Sequence, residues 1–373
     1  MKFAVVEYSS KSGKVWQHTD AKPNYLADPD KEIDPTSFGC YVSALHGQHI
    51  PLKGFMLGNV VPTNKVVVSG RRLFRKLFKH WPQNYDLSYF QQFDVLMVVH
   101  QISDGHEMTL FTKKLWQVSP RPLIIGVPTQ PFGLWKDYYA KRPAEYTDFQ
   151  QYLHACDVFL TVVESTKNDW QAMTDTPVTY LAQPYPVEYA LKYWQGVEAK
   201  KPIILVAGVT DRPNIALGQK VAKQLQEKFP NYIIHVTDTP GHNQDLSALG
   251  GAKYEVQPFL PWQQQLAYLS KVHLVINTDY TQTRGRVQVD CAAVGTISIG
   301  ADSDGQADLF PDFLATSQTS AEELISQATR LLQDKSLYAA TAATAKEKLS
   351  KYNYAASKQR VEQLVKQYPK RAS

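Results

Sequence analysis

Cysteine is scarce in this 373-residue chain: Cys40, Cys156 and Cys291 are the only three, at unrelated spacings. That excludes a disulfide framework or a thiolate metal knuckle and fits a reducing cytoplasm. Long apolar runs are missing as well; none approaches the ~18 residues a membrane-crossing helix needs. The first residues, MKFAVVEYSS, carry one Lys and an apolar run too short for a secretory leader. The expectation is a cytoplasmic protein, at most peripheral to a membrane. Neither sign of charge dominates: 40 Lys and Arg against 35 Asp and Glu leave a formal charge of +5. No overall field therefore demands a polyanionic partner. The dinucleotide signature GxGxxG is absent, and so is a second histidine at HxxxH-type spacing. With no DxD pair near the candidate loop below, the chemistry expected is metal-independent, with no cofactor.

What is present is a recurrent run of short, nearly all-apolar segments, the pattern of strands buried on both faces of a parallel sheet. They fall at residues 3–7, 65–69, 95–100, 123–127, 158–163 and 178–181, then at 203–207, 232–236, 272–277 and 297–300. Helix-length segments lie between them at 138–155, 165–173, 216–228, 262–269 and 321–332, with a further helical stretch over 336–366. Residues 183–201 combine two prolines with a charged, strand-free stretch and mark a join. Residues 9–58 show few strand signals and read either as a functional loop region or as a stretch containing a helix over 38–46. The organisation predicted is α/β, with two Rossmann-like doubly wound halves. Residues 1–185, joined by a C-terminal helix at 350–373, form the first, and 186–349 the second.

The most informative stretch is VHLVINTDYTQTRGRVQVDCAAVGTISIG at 272–300. A strand leads into a polar loop, a short helix follows at 287–293, and Gly295 turns the chain into the next strand. Such a loop lies at the carboxyl edge of a sheet, beside the free N–H groups of a helix start. Asp279, Tyr280, Gln282, Thr283, Arg284, Gly285 and Arg286 make it a candidate diphosphate seat, with Gly208, Thr210 and Arg212 contributing from the end of an earlier strand. Asp290, one helical turn in, needs a hydroxyl or cation partner. A sugar hydroxyl and an arginine are both open to it. In the first half, His100 ends a strand and Asp104 and His106 follow in a polar loop, with Thr129 and Gln130 after the next strand. For each of these, an ordinary strand-end or turn role stands beside a functional one.

The order of these features resembles GT-B glycosyltransferases, the family-4-like retaining group in particular. The match is most specific over residues 200–345, where RGRVQVDCAAVGTISIG and YEVQPFLPWQQQLAYLSKVHLVINT are similar to the family's donor-half units. The resemblance implies two Rossmann-like domains facing a cleft, with the C-terminal helix packing back on the first. It also implies transfer of a hexose or pentose from a UDP- or GDP-sugar co-substrate to a hydroxyl acceptor, with Asp290 and His100 as candidate catalytic groups. Departures are visible. Of two family glutamates spaced eight apart, the first falls on Gln282 and the second on Asp290. The basic pair after the first donor-half strand is reduced to Arg212, and the histidine after a first-half strand is replaced by Thr129 and Gln130. A non-catalytic nucleotide- or sugar-binding protein on a degenerate scaffold is the competing reading.

Residues 70–81, GRRLFRKLFKHW, predict a helix with an apolar stripe opposite Arg71, Arg72, Arg75, Lys76 and Lys79. Besides a solvated face, such a cationic row suits anionic lipid headgroups or a nucleic-acid backbone. Both fit acceptors implied by the resemblance: a glycan or lipid-linked glycan, or a hydroxymethylated DNA base. Enzymes acting on such bases share the fold and carry a segment similar to VDCAAVGT.

Overall fold

The computed structural model describes residues 1–8, 16–17, 38–52, 87–208, 214–237, 245–283, 286–303, 305–368 and 370. The predicted strand at 65–69 and the basic helix at 70–81 lie outside them, as do Thr210, Arg212, Arg284 and Gly285.

Two sheets organise the chain. The first runs in the order β2-β3-β1-β4-β5-β6-β7. Its strands are β1 (Phe3–Glu7), β2 (Trp16–Gln17), β3 (Gln48–Pro51), β4 (Val95–His100), β5 (Leu123–Pro128), β6 (Val158–Thr161) and β7 (Val178–Tyr180). All pairings are parallel except the antiparallel edge strand β2. The second sheet is parallel throughout, in the order β10-β9-β8-β11-β12-β13. It comprises β8 (Lys201–Ala207), β9 (Ile233–Thr237), β10 (Tyr254–Gln257), β11 (Val272–Asn277), β12 (Ile297–Ala301) and β13 (Leu314–Ala315).

In the first half the helices are α1 (Gly39–Leu45), α2 (Gly105–Lys114), α3 (Phe132–Ala140), α4 (Pro143–Ala155) and α5 (Lys167–Gln171). The linker carries α6 (Val187–Ala190), and the second half adds α7 (Ile215–Lys228), α8 (Trp262–Leu269), α9 (Val287–Val294), α10 (Gln306–Leu309) and α11 (Ala321–Gln333). Two helices close the chain, α12 (Lys335–Lys348) and α13 (Tyr354–Gln367).

The all-apolar strands earn their centrality by burial on both faces. Residues 95–99 of β4 are fully covered, and separate clusters of side chains pack above and below the first sheet. Val361 and Leu364 of α13 belong to the cluster that contains Phe3, Val5 and Tyr41, so the last helix packs on the first half. The fold class is therefore as read: α/β, two Rossmann-like halves, with the C-terminal helix returned to the first.

Several boundaries differ for local reasons. The helix expected over 138–155 is two helices: Pro143 lacks a backbone N–H and disfavours a helical residue before it, so α3 ends at Ala140 and α4 begins at the proline. The helical stretch expected over 336–366 is also two. Asn353 caps α13 by accepting from the Ala356 N–H at 2.7 Å. The Tyr352 carbonyl just before it accepts the Tyr185 N–H at 2.7 Å, tying the returning chain to the linker.

Candidate functional site at the carboxyl edge of the second sheet

The loop after β11 is not a solvated turn. Asn277, Thr278, Asp279 and Thr281 are all buried, and burying so many polar groups requires that they be bonded. Thr278 Oγ1 donates to the Asn214 carbonyl (2.8 Å) and accepts from the Gly218 N–H (3.2 Å), locking the loop to α7. Asn277 Oδ1 accepts the Asp279 N–H at 3.1 Å. Asp279 Oδ1 in turn accepts from both the Thr281 N–H (3.1 Å) and the Thr281 hydroxyl (2.6 Å). The Asp279 oxygen so engaged shapes its own loop.

Glycine makes the close approach around this loop possible. At Gly300, φ is +146°, and a Cβ would stand 1.7 Å from the Asn277 carbonyl oxygen, so no side chain fits there. Gly208, the strand-end glycine singled out in the sequence, sits next to this loop, where an added Cβ would lie 3.9 Å from Asn277 Oδ1. Gln282 adopts the left-handed region with φ +58°, an uncommon conformation for a non-glycine residue. Gln282, Thr283 and Tyr280 are half-buried, and the Tyr280 hydroxyl, itself buried, has no hydrogen-bond partner among the described residues.

The loop meets the first half directly. The Gly133 N–H, in the first turn of α3, donates to the Thr281 carbonyl at 3.1 Å. Arg286, at the start of α9, is buried and donates through Nη2 to the Cys40 sulfur on α1 at 3.3 Å. Its guanidinium also lies 5.8 Å from the centre of the Tyr185 ring.

Asp290 has internal partners that the sequence did not disclose. Its Oδ1 accepts from the Tyr185 hydroxyl at 2.6 Å and from the Trp262 indole N–H at 2.9 Å. Burial raises the Tyr185 phenol far above its ordinary value, with the Asp290 charge adding to the effect. Tyr185 therefore stays protonated and donates. The carboxylate thus joins α9, the linker and α8.

On the first-half side the structure separates what the sequence grouped. The imidazole of His100 is 1% exposed, caged by Trp135, Phe149 and Tyr152 at centroid distances of 5.0, 5.0 and 4.5 Å. Burial lowers its pKa to about 3, so the ring is neutral, and among the described residues neither ring nitrogen has a hydrogen-bond partner. What His100 contributes to the loop region is its carbonyl, which accepts the Thr129 N–H at 3.0 Å. Gln130 braces the same turn: its Oε1 accepts the Ile102 N–H at 3.3 Å, and its carbonyl accepts the Trp135 indole N–H at 3.0 Å. Thr129 and Gln130 stand just before the α3 terminus that touches Thr281. His106 is exposed and pairs with Asp148 on α4 at 3.3 Å. Asp104 accepts from the Ser103 hydroxyl at 3.0 Å.

The structure therefore brings together the 129–133 turn, the 277–283 loop, Gly208 and the α9 start with Arg286. Sequence reasoning missed Gly133, Thr281, Cys40, Tyr185 and Trp262. Only Trp262, at a helix start, carried any local signal. Among the described residues no group of three or more His, Cys, Asp or Glu side chains is placed to hold a metal. Among the described residues the junction is polar and holds the buried guanidinium of Arg286 at the start of α9, an arrangement suited to an anionic ligand held by N–H groups and arginine.

No protein-family model matches the chain, and no curated protein does. Its fold, however, is similar to solved structures. A trehalose-6-phosphate synthase superposes with a TM-score of 0.63 at 10% identity, covering 100% of both chains. A sucrose-phosphate synthase from Thermosynechococcus elongatus gives 0.58 at 16% identity, over 86% of this chain and 83% of that one. A putative UDP-N-acetylglucosamine 2-epimerase from Listeria monocytogenes gives 0.52 at 13% identity, over 98% and 95%. These likenesses show the GT-B fold.

Proposed function

We propose that this chain is a glycosyltransferase that moves a sugar from a nucleotide-diphosphate sugar to a hydroxyl acceptor. The observation that carries the reading is the junction itself: the 277–283 loop of the second half is bonded through Thr281 to Gly133, beside the 129–130 turn of the first half. A donor lying on the loop would thus face an acceptor entering from the other half. In this reading the diphosphate rests on the α9 N–H groups with Arg284, Gly285 and Arg286, helped by Thr210 and Arg212. Fixed donors and guanidinium charge stabilise the leaving diphosphate as negative charge develops on it. Gln282 and Thr283 bond sugar or ribose hydroxyls. The reaction needs no metal, and anomeric retention follows the family resemblance. The acceptor is a glycan, a lipid-linked glycan or a modified DNA base, with the cationic 71–79 row as a docking strip for anionic groups. Retention on anionic vesicles or salt-dependent retention on DNA distinguishes these, and if neither is seen the row is a solvated face and that part of the reading fails.

A second reading has a specific observation behind it. His100 is sealed and uncharged, Asp290 Oδ1 is engaged by Tyr185 and Trp262, and Gln282 carries no charge. This favours a protein that binds a sugar nucleotide without turning it over. The deciding experiment takes UDP-, GDP- and ADP-sugars with chelator present and follows both melting temperature and sugar fate. Ligand at one hundred times its Kd stabilises by about 2.7 kcal/mol. A shift with transfer or hydrolysis supports the enzyme, and a shift without either supports the binding protein. No shift with any nucleotide overturns the donor site in both readings.

A further inference from the structure

The buried guanidinium of the second half is held from the first. Helix α1 is anchored in the first half, where Tyr41, Val42 and Leu45 belong to the cluster with Phe3, Val5 and Val361. Cys40, in the first turn of the same helix, is fully buried and meets the other half instead: its sulfur accepts from Arg286 Nη2 at 3.3 Å. The base of the arginine is fixed as well. Arg286 stands at the N-cap of α9, and its carbonyl accepts the Asp290 N–H at 2.9 Å. Beside the guanidinium lies the Tyr185 ring, its centre 5.8 Å away and its hydroxyl tied to Asp290. A long, flexible side chain is therefore confined at both ends.

The choice of sulfur matters for the charge. A guanidinium presents five N–H donors in one plane, and a thiol sulfur accepts from them only weakly. A carboxylate in its place would take the fork in two bonds and cancel its charge. The Cys40 contact orients the cation without cancelling it.

We propose that Cys40 is a positioning residue for the donor diphosphate: through Arg286, it completes from the first half an anion seat that belongs to the second. This role rests on the donor site proposed above. The seat is pre-organised only while α1 stands against the start of α9, so affinity for a diphosphate reports on the meeting of the halves. Confining one rotamer-rich side chain in advance amounts to a factor of roughly two to ten in affinity.

The test is calorimetric binding of UDP, GDP and ADP, each against its monophosphate, by the full chain. Wild type is expected to bind at least one diphosphate, and more tightly than the monophosphate. Cys40→Ala should weaken that diphosphate roughly three- to ten-fold and the monophosphate less, shrinking the preference. Cys40→Ser keeps an uncharged acceptor and should retain the preference. Cys40→Asp should weaken the diphosphate by at least roughly ten-fold, because a carboxylate then competes for the guanidinium. With Arg286→Gln already in place, Cys40→Ala should change diphosphate binding no further, since the thiol acts through that side chain. Equal losses for mono- and diphosphate would make Cys40 a packing residue and overturn the proposal. So would a Cys40→Ala chain that binds the diphosphate as tightly as wild type, or a Cys40→Asp chain with undiminished affinity. These outcomes leave the donor site standing, whereas a wild type that binds no nucleoside diphosphate removes the donor site and this role with it.

Discussion

Gln282 occupies a left-handed conformation that an L-residue adopts at a cost of roughly 1 kcal/mol. Glycine would adopt it freely, yet the chain keeps an amide side chain at the tip of the loop. Gln282→Gly is therefore expected to leave the melting temperature unchanged or raised while donor turnover falls at least ten-fold. A variant as active as the parent would remove Gln282 from the site. Asp290 poses the opposite case. Its Oδ1 accepts from the buried Tyr185 hydroxyl and the half-buried Trp262 indole N–H, and a buried donor left unsatisfied costs about 1–3 kcal/mol. Asp290→Ala should lower unfolding stability by about 2–5 kcal/mol in urea, and Tyr185→Phe by less, since one partner then remains. Equal stability in the Ala variant would show that the carboxylate is not holding α9 to the linker. Sequence alone offered Asp290 a hydroxyl or a cation. The phenol came from a linker position about a hundred residues away, which no local pattern predicts.

At the level of elements, legibility followed burial. Strands such as β1, β4 and β11 were readable to the residue because both faces are covered and the sequence is uniformly apolar. The edge strand β10 has no apolar run to announce it: YEVQ is mostly exposed, and only the family resemblance placed a strand at the start of that unit. His100 shows the limit for site residues, since an imidazole at a strand end reads alike whether it faces a cleft or a cage of Trp135, Phe149 and Tyr152. The cage makes a sharp prediction about acid stability. Folded His100 titrates near 3, against 6.5 ordinarily, so between these values the unfolded chain holds the extra proton. Its contribution is complete above about pH 6.5 and is lost as pH falls towards 3. His273, lowered to about 4 chiefly by burial, acts in the same direction. Unfolding stability should therefore drop from pH 7 to pH 5, and His100→Phe should flatten that slope while His273 keeps part of it. An unchanged slope would mean that the ring is hydrated and charged in the folded state.

At the scale of the whole molecule, the two halves are readable separately, but their meeting is not. Gly133 in α3 and Thr281 after β11 lie far apart in sequence, and each looks locally like ordinary turn chemistry. Their contact leaves little room for a side chain: a Cβ on Gly133 would stand 3.2 Å from both Thr281 Cα and its carbonyl oxygen, so the loop backbone would have to give by a few tenths of an ångström. Gly133 also lies early in α3, where alanine favours the helix itself. Gly133→Ala therefore separates two effects. Within the first half it is neutral or mildly stabilising, whereas between the halves it acts as overpacking worth about 1–2 kcal/mol. If turnover requires the 129–133 turn and the 277–283 loop at this spacing, the variant should raise donor KM or lower kcat by roughly ten-fold with its melting temperature unchanged. Thr281→Ala keeps the backbone carbonyl and removes the hydroxyl that bonds Asp279 together with a methyl group, so its loss of turnover should be smaller and accompanied by a lower melting temperature. Should Gly133→Ala be fully active, the halves must separate during turnover, and the contact would belong to a resting arrangement instead of the working one.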